Sequence, residues 1–244
     1  MRIKVINPNT TASMTEGIER AAKLYARPDT EIIAVNPKNG PASIENYHDE
    51  SLAAVGLLEE IHQGEQEKVD AMIIACYGDV GLYAAREVAS VPVIGIGEAS
   101  MYLASIVAAR FSIVTVISRS KIILEELLQR YGMTEKCVSI RSTNMSVLDF
   151  EENFDRGIEN LARESKKALT EDGAEAICLG CAGMVSFVEK LEQELSVPVF
   201  DGVTAAVKLA ESLVDLGKKT SKIHYFGYPE RKEYKGLPLI LQPK

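Results

Sequence analysis

At 244 residues, 46% hydrophobic and 25% charged, the chain is long enough for one large α/β domain or two small ones and has a globular composition. A net charge of -8 argues against a nucleic-acid-binding surface. No apolar run reaches the roughly 18 residues of a membrane helix, and the strand-like start Met1-Arg2-Ile3-Lys4-Val5-Ile6 shows no signal peptide, so the cytoplasm is the expected location.

Residues 2–6 read as the first strand. Asn7-Pro8-Asn9-Thr10-Thr11 is a turn, with Thr10, Thr11 or Ser13 placed to cap a helix that runs to about residue 25. Residues 31–35 form a second strand. Two Pro, one Gly and three Asn mark residues 36–47 as a long irregular loop, of the kind that often carries function. Residues 49–63 are helical. Ala71 to Ala75 is an apolar run that enters Cys76 and then the turn Tyr77-Gly78-Asp79, followed by helical spacing over residues 82–88. A short strand over 91–96 and a helix over 99–109 follow.

The second half repeats this programme. Residues 111–117 form a strand, Ser118-Arg119-Ser120 caps a helix to residue 131, and residues 136–141 form another strand. A long helix is expected over 151–170. Glu175-Ala176-Ile177-Cys178-Leu179-Gly180-Cys181-Ala182-Gly183 is again an apolar run ending in cysteine and a small-residue turn. A helix to 195, a strand over 197–200 and a helix over about 202–216 complete the pattern. The tail after Gly217 is polar and Tyr/Pro-rich, which suits packing back over a face of the fold.

The repeat is the most informative feature. Pro92 follows Cys76 by 16 positions and Pro198 follows Cys181 by 17, each within Ser-Val-Pro-Val. Alternating strands and helices predict an α/β fold of two similar Rossmann-like halves with mainly parallel sheets, related by a pseudo-twofold axis. The expected division is residues 1–104, joined by 205–244, on the Cys76 side and residues 105–204 on the Cys181 side. The two cysteine-bearing sheet edges would then converge on one cleft.

A lone cysteine ending an apolar strand is usually a small core residue. Two at matching places in a repeat point to chemistry instead. A thiol and a thiolate on opposite sides of a carbon acid can exchange its proton and invert the centre. The ordinary cysteine value of about 8.5 keeps both forms accessible, and a helix N-terminus beside Cys76 is expected to favour the thiolate. Backbone N–H groups in the turns 77–79 and 182–184 are placed to stabilise an enolate. No cofactor is expected: the sequence holds no Gly-x-Gly-x-x-Gly and no Walker loop. Cys178 and Cys181 have the spacing of a metal or redox pair. A zinc site would need two further ligands, and His48, His62 and His224 form no ligand-spaced pair, so no metal is expected. An odd separation also points Cys178 and Cys181 to opposite faces. Cys137 reads as core. Asn9 is either a turn residue or a ligand contact, and Thr115 holds the corresponding place in the second half.

Ile6-Asn7-Pro8-Asn9-Thr10-Thr11, Ala75-Cys76-Tyr77-Gly78-Asp79, Phe111-Ser112-Ile113-Val114-Thr115 and Leu179-Gly180-Cys181-Ala182-Gly183-Met184 together resemble the Asp/Glu/hydantoin racemase superfamily, closest to its hydantoin and allantoin racemase branch. The resemblance covers nearly the whole chain, including residues 220–236. It implies cofactor-independent racemisation at C5 of a five-membered cyclic ureide, with Cys76 and Cys181 as the two bases. Substrate contacts carried over by the motifs fall on Asn9, Ile44, Tyr77, Gly78, Thr115, Val116, Ala182 and Gly183. It implies a small-molecule partner and a homo-oligomer, with no nucleic acid and no membrane. Glutamate and aspartate racemases usually carry Thr after the second cysteine; Ala182-Gly183 here favours an uncharged cyclic substrate. This chain departs from the branch at Tyr77, commonly Phe, at Val80, commonly Pro, and at Val116, commonly Thr.

Two other classes remain compatible with the residues. An amino-acid racemase, maleate-type isomerase or decarboxylase on the same fold would act on carboxylates, so its pocket should hold an Arg or Lys or several hydroxyls; Lys38, Arg119 and Lys121 are the nearest basic candidates and read as solvated surface. A non-catalytic ligand-binding module would need neither thiol, and the chain has both.

Overall fold

The computed structural model describes residues 1–236 and 239–241. Apolar runs too short for helices and rich in Ile and Val make the strands. In the first half these are β1 (Arg2–Ile6), β2 (Glu31–Val35), β3 (Ala71–Ile74) and β4 (Val93–Gly95), with helices α1 (Ala12–Tyr25), α2 (Tyr47–Glu67), α3 (Leu82–Val88) and α4 (Ile96–Val107). The second half has β5 (Phe111–Thr115), β6 (Cys137–Ser142), β7 (Ala176–Leu179) and β8 (Val199–Asp201), with α5 (Lys121–Arg130), α6 (Val147–Glu152), α7 (Phe154–Thr170), α8 (Val188–Leu195) and α9 (Gly202–Asp215).

The strands form two four-stranded sheets with the same order, β2-β1-β3-β4 and β6-β5-β7-β8. Every pairing is parallel. β3 and β7 are buried on both faces and read as unbroken apolar runs, as strands covered by helices on each side must. The expected two-halved α/β architecture is therefore the observed one. Lys4 breaks the apolar pattern of β1 and is fully buried, with its ammonium held between Glu60 at 3.1 Å and Glu67 at 3.2 Å on α2. A buried charge requires such compensation.

α9 follows the second sheet in sequence, yet it packs against α1, α4, β3 and β4 of the first half. Val203, Ala206, Val207 and Ala210 form its buried stripe. At its start, Gly202 lies against the backbone of Ile96, where a side chain has no room. The tail also returns to the first half: Thr220 Oγ1 donates to Val91 O at 2.6 Å, and Phe226 packs edge-on against Tyr83.

Several local expectations are corrected. Thr11 stands at the N-cap of α1 without a side-chain cap; its hydroxyl donates to Ala42 O, and Asn9 Oδ1 accepts from Thr11 N instead. Ser118, Arg119 and Ser120 form a 3₁₀ turn ahead of α5, and Ser120 Oγ donates to Ile117 O rather than capping. Strand β5 stops at Thr115 and α4 starts at Ile96, inside the apolar run read as strand. The long helix expected over 151–170 is two helices, α6 and α7, meeting at Asn153. Ser146 caps α6 by accepting from Asp149 N, which starts that helix ahead of the expected position.

Candidate active site

In each sheet the chain leaves the two central strands in opposite directions, so the crevice beyond their carboxyl ends is the natural ligand site of an open α/β sheet. Here there are two such crevices, at β1/β3 and β5/β7, and both open onto one cavity of about 60 Å³. Asn7 and Asn9 reach it from the end of β1, and Ala75, Cys76, Tyr77 and Gly78 from the end of β3. Thr115 and Val116 come from β5, and Gly180, Cys181 and Ala182 from β7.

The two cysteine turns are built alike. Ala75 N donates to Ile6 O at 2.8 Å, and Gly180 N donates to Val114 O at 2.8 Å, which docks each turn to the neighbouring central strand. Asp79 N then closes onto Cys76 O at 2.9 Å, as Met184 N closes onto Cys181 O at 3.2 Å. These two N–H groups are therefore already engaged. Gly78 N–H faces the Cys76 sulfur as a hydrogen-bond donor.

The expectation of a thiolate-favouring helix end is reversed at Cys76. Burial pushes this thiol well above its ordinary range, and the charges of Glu50, Cys181 and Asp79 act in the same direction. Only the Gly78 N–H opposes them. α3 does not begin until Leu82, six positions beyond Cys76, and the intervening turn separates its N-terminus from the sulfur. The influence of Cys181 on Cys76 is itself a sign that the two thiols share one site.

The polar groups deep in the cavity are ordered by their neighbours. Asn9 Oδ1 accepts from Asn7 Nδ2 at 2.9 Å and from Thr11 N at 2.9 Å. Its Nδ2 has only the Met14 sulfur at 3.5 Å, which leaves a donor for a ligand carbonyl. Thr115 Oγ1 donates to Gly180 O at 3.2 Å and keeps acceptor capacity. Tyr77 is buried with its hydroxyl 2.8 Å from Ser100 Oγ, so that hydroxyl is committed to the core. Val116 presents a buried apolar wall.

Of the sequence-derived residues, Asn9, Ile44, Cys76, Tyr77, Gly78, Thr115, Val116, Cys181 and Ala182 are brought together around this cavity. Gly183 is not; it borders a neighbouring groove beside α1. Sequence reading missed Glu45 and Glu50, which enter from the long loop and from α2, and Ile123 and Leu124 from α5. A helical carboxylate gives no local signal of facing a cavity. Lys38, Arg119 and Lys121 do not border it, and among the described residues its lining holds no Lys or Arg.

All four cysteines are free thiols. Cys178 lies in the core, with its sulfur 3.7 Å from Ser100 O, and Cys137 sits on β6 with its sulfur 3.4 Å from Ser139 O. Neither borders the cavity. Cys178→Ser and Cys137→Ser are therefore expected to keep kcat within about threefold, at a stability cost of roughly 1 kcal/mol each. Loss of turnover in folded Cys178→Ser would show that the second thiol of the site is misassigned.

A family model described as Asp/Glu/Hydantoin racemase matches residues 3–210. A hydantoin racemase of Pseudomonas sp. (strain NS671) is 61% identical over 236 residues, covering 97% of this chain and 95% of that protein. Among solved structures, the allantoin racemase from Klebsiella pneumoniae is 50% identical with a TM-score of 0.95, covering 97% of this chain and 96% of that one. The allantoin racemase from Pseudomonas fluorescens is 41% identical with a TM-score of 0.94, over 97% of this chain and 100% of that one.

Proposed function

Because the chain belongs to the Asp/Glu/hydantoin racemase family and is an isomerase of the racemase type, we propose that it racemises 5-substituted hydantoins or allantoin. Cys76 and Cys181 act as the two bases, with no cofactor. The observation that carries this reading is the pair of like-built turns delivering two thiols to one cavity with no basic side chain in its lining. A pocket for an amino-acid or malonate carboxylate gains from an Arg or Lys or several free hydroxyls; the lining of this one has no cation and holds the carboxyls of Glu45 and Glu50.

In the proposed reaction one cysteine, as thiolate, takes the proton from C5. The C–H electron pair moves into the adjacent ring carbonyl as an enolate. The opposite thiol returns a proton to the other face of C5, and the centre is inverted. Cys76 is held protonated by its burial, which suits it to deliver the proton to the enolate. Asn9 Nδ2 is a donor for the developing oxyanion, while the Gly78 N–H supports the Cys76 sulfur. Thr115, Val116, Tyr77, Ile44, Ala182 and Gly183 remain the proposed substrate contacts, Gly183 through its position beside Cys181.

The reading assigns Cys76 to residues 1–104 with 205–244, and Cys181 to residues 105–204. It takes the enzyme as a cytoplasmic homo-oligomer with small-molecule ligands and no nucleic-acid or membrane partner. No helix among the described residues is long and apolar enough to cross a membrane.

In deuterium oxide, racemisation is expected to exchange the C5 hydrogen for deuterium with no added metal or pyridoxal phosphate, followed by proton NMR and polarimetry. Activity lost on EDTA treatment and restored by zinc would overturn the cofactor-free mechanism.

A further inference from the structure

Glu50 is the one acidic side chain in the cavity that the mechanism above does not use and no neighbour engages. Glu45, by contrast, accepts from Val147 N at 3.0 Å. Among the described residues the Glu50 carboxyl makes no hydrogen bond and no ion pair, although it is half-buried. It reaches the site because residue 78 is glycine. A methyl group there would lie 2.7 Å from Glu50 Oε1, 3.6 Å from Ile123 Cγ2 and 3.9 Å from Cys76 Sγ. Carboxylate, apolar wall and thiol thus surround a single point.

The polarity of the cavity is graded. Asn7, Asn9 and Thr115 at its floor are buried, and their partners are fixed. Glu50 and Ile44 are only half-buried, which puts them on the more solvent-accessible side of the lining than these three. A ring whose carbonyls meet the floor directs its C5 substituent toward the opening. An unpartnered acceptor there gains from an N–H donor and is desolvated without return by an alkyl chain.

Resting on the racemase reading, we propose that Glu50 is a specificity determinant that accepts a hydrogen bond from an N–H of the C5 substituent. It favours a ureido side chain, as in allantoin, over a branched alkyl chain. Burial pushes Glu50 up to about 7; Arg130 on α5 pulls against this, and Glu126 on α5 pushes the same way. The other titratable side chains lining the cavity are Glu45, Cys76, Tyr77 and Cys181. The ionised acceptor therefore predominates on the alkaline side of neutrality.

The experiment compares allantoin and 5-isobutylhydantoin with the full chain and with Glu50→Leu and Glu50→Gln. Steady-state racemisation and equilibrium binding followed by NMR are both recorded. Glu50→Leu is expected to lower the ratio of kcat/KM for allantoin to that for 5-isobutylhydantoin by at least about tenfold, chiefly through KM for allantoin. Glu50→Gln, which keeps one acceptor oxygen, falls between. In the parent chain the ratio rises from pH 6 to 8, and Glu50→Leu flattens that rise. An unchanged ratio overturns the proposal, as does an equal loss for both compounds, which places Glu50 on the ring or in the fold. A parent chain that racemises 5-isobutylhydantoin but neither binds nor racemises allantoin overturns the role of Glu50 and leaves the racemase reading standing. Binding of allantoin that is weakened by Glu50→Leu, without turnover of either compound, upholds the acceptor and overturns the racemase reading.

Discussion

Cys76→Ser and Cys181→Ser are each expected to lose net racemisation by about a thousandfold or more, because a hydroxyl is a far weaker base of nearly the same shape. In the proposed mechanism each enantiomer presents its C5–H to a different sulfur. A variant with one thiol left can still remove a proton from one enantiomer and return a deuteron to the same face. Slow exchange without inversion is therefore expected for one hand only, and the two variants prefer opposite hands. Proton NMR of the separate D and L substrates in deuterium oxide reads this directly. The same preference in both variants, or substantial racemisation by either, would falsify the opposed pair. In the parent enzyme the pH profile is expected to belong to the two thiols jointly, since Cys76 senses the charge of Cys181.

Asp79→Ala is expected to lower folding stability by about 3–5 kcal/mol in urea unfolding at neutral pH. Asp79 is buried beneath the Cys76 turn and accepts from Gly97 N at 2.9 Å, Glu98 N at 2.8 Å and the Tyr131 hydroxyl at 2.7 Å. It thereby ties that turn to the N-terminus of α4 and, through Tyr131, to the second half. Alanine leaves all three donors without a partner. Asn, whose single carbonyl can still take Tyr131 and Glu98, should cost about 1–2 kcal/mol.

Burial, with the charge of Glu98 beside it, pushes Asp79 up to about 7 in spite of its three donors. The folded chain then holds a proton that the unfolded chain releases near its ordinary value of about 4. That contribution to stability is complete below about pH 4 and is lost as pH rises through about 7. The cost of Asp79→Asn is therefore larger at pH 5 than at pH 8. The reverse order would mean that the three donors hold Asp79 ionised.

Much of this arrangement is written in short-range pattern. β1 and β2 end where their apolar alternation ends, and the recurrence of cysteine, small turn and Ser-Val-Pro-Val shows the duplicated sheet before any contact is known. The start of α4 is not written that way. Val93, Ile94, Gly95 and Ile96 are one apolar run, and the helix begins at Ile96 because Gly97 and Glu98 N–H groups find Asp79, distant in sequence. The break at Asn153 likewise depends on how α6 folds onto α7, where Gly157 meets the Phe150 ring. The direction of the Cys76 shift escaped for the same reason. A helix end can be read from spacing, whereas burial and the approach of Glu50 from α2 are properties of the assembled fold.

The position of α9 has a consequence for biosynthesis. Roughly a hundred residues separate β4 from the helix that covers one face of its sheet. At about 5–20 residues per second the ribosome takes some 5–20 s to bridge that gap. During this interval the first sheet has its strands but lacks Val203, Ala206, Val207 and Ala210, so its apolar face is open to water and to other nascent chains. The second half, by contrast, is emitted as an unbroken block, β5 to β8. Vectorial synthesis thus inverts the usual order. The portion made first is the portion completed last, and closure of the polypeptide through α9 sets the moment at which both cysteine turns are held in one rigid body.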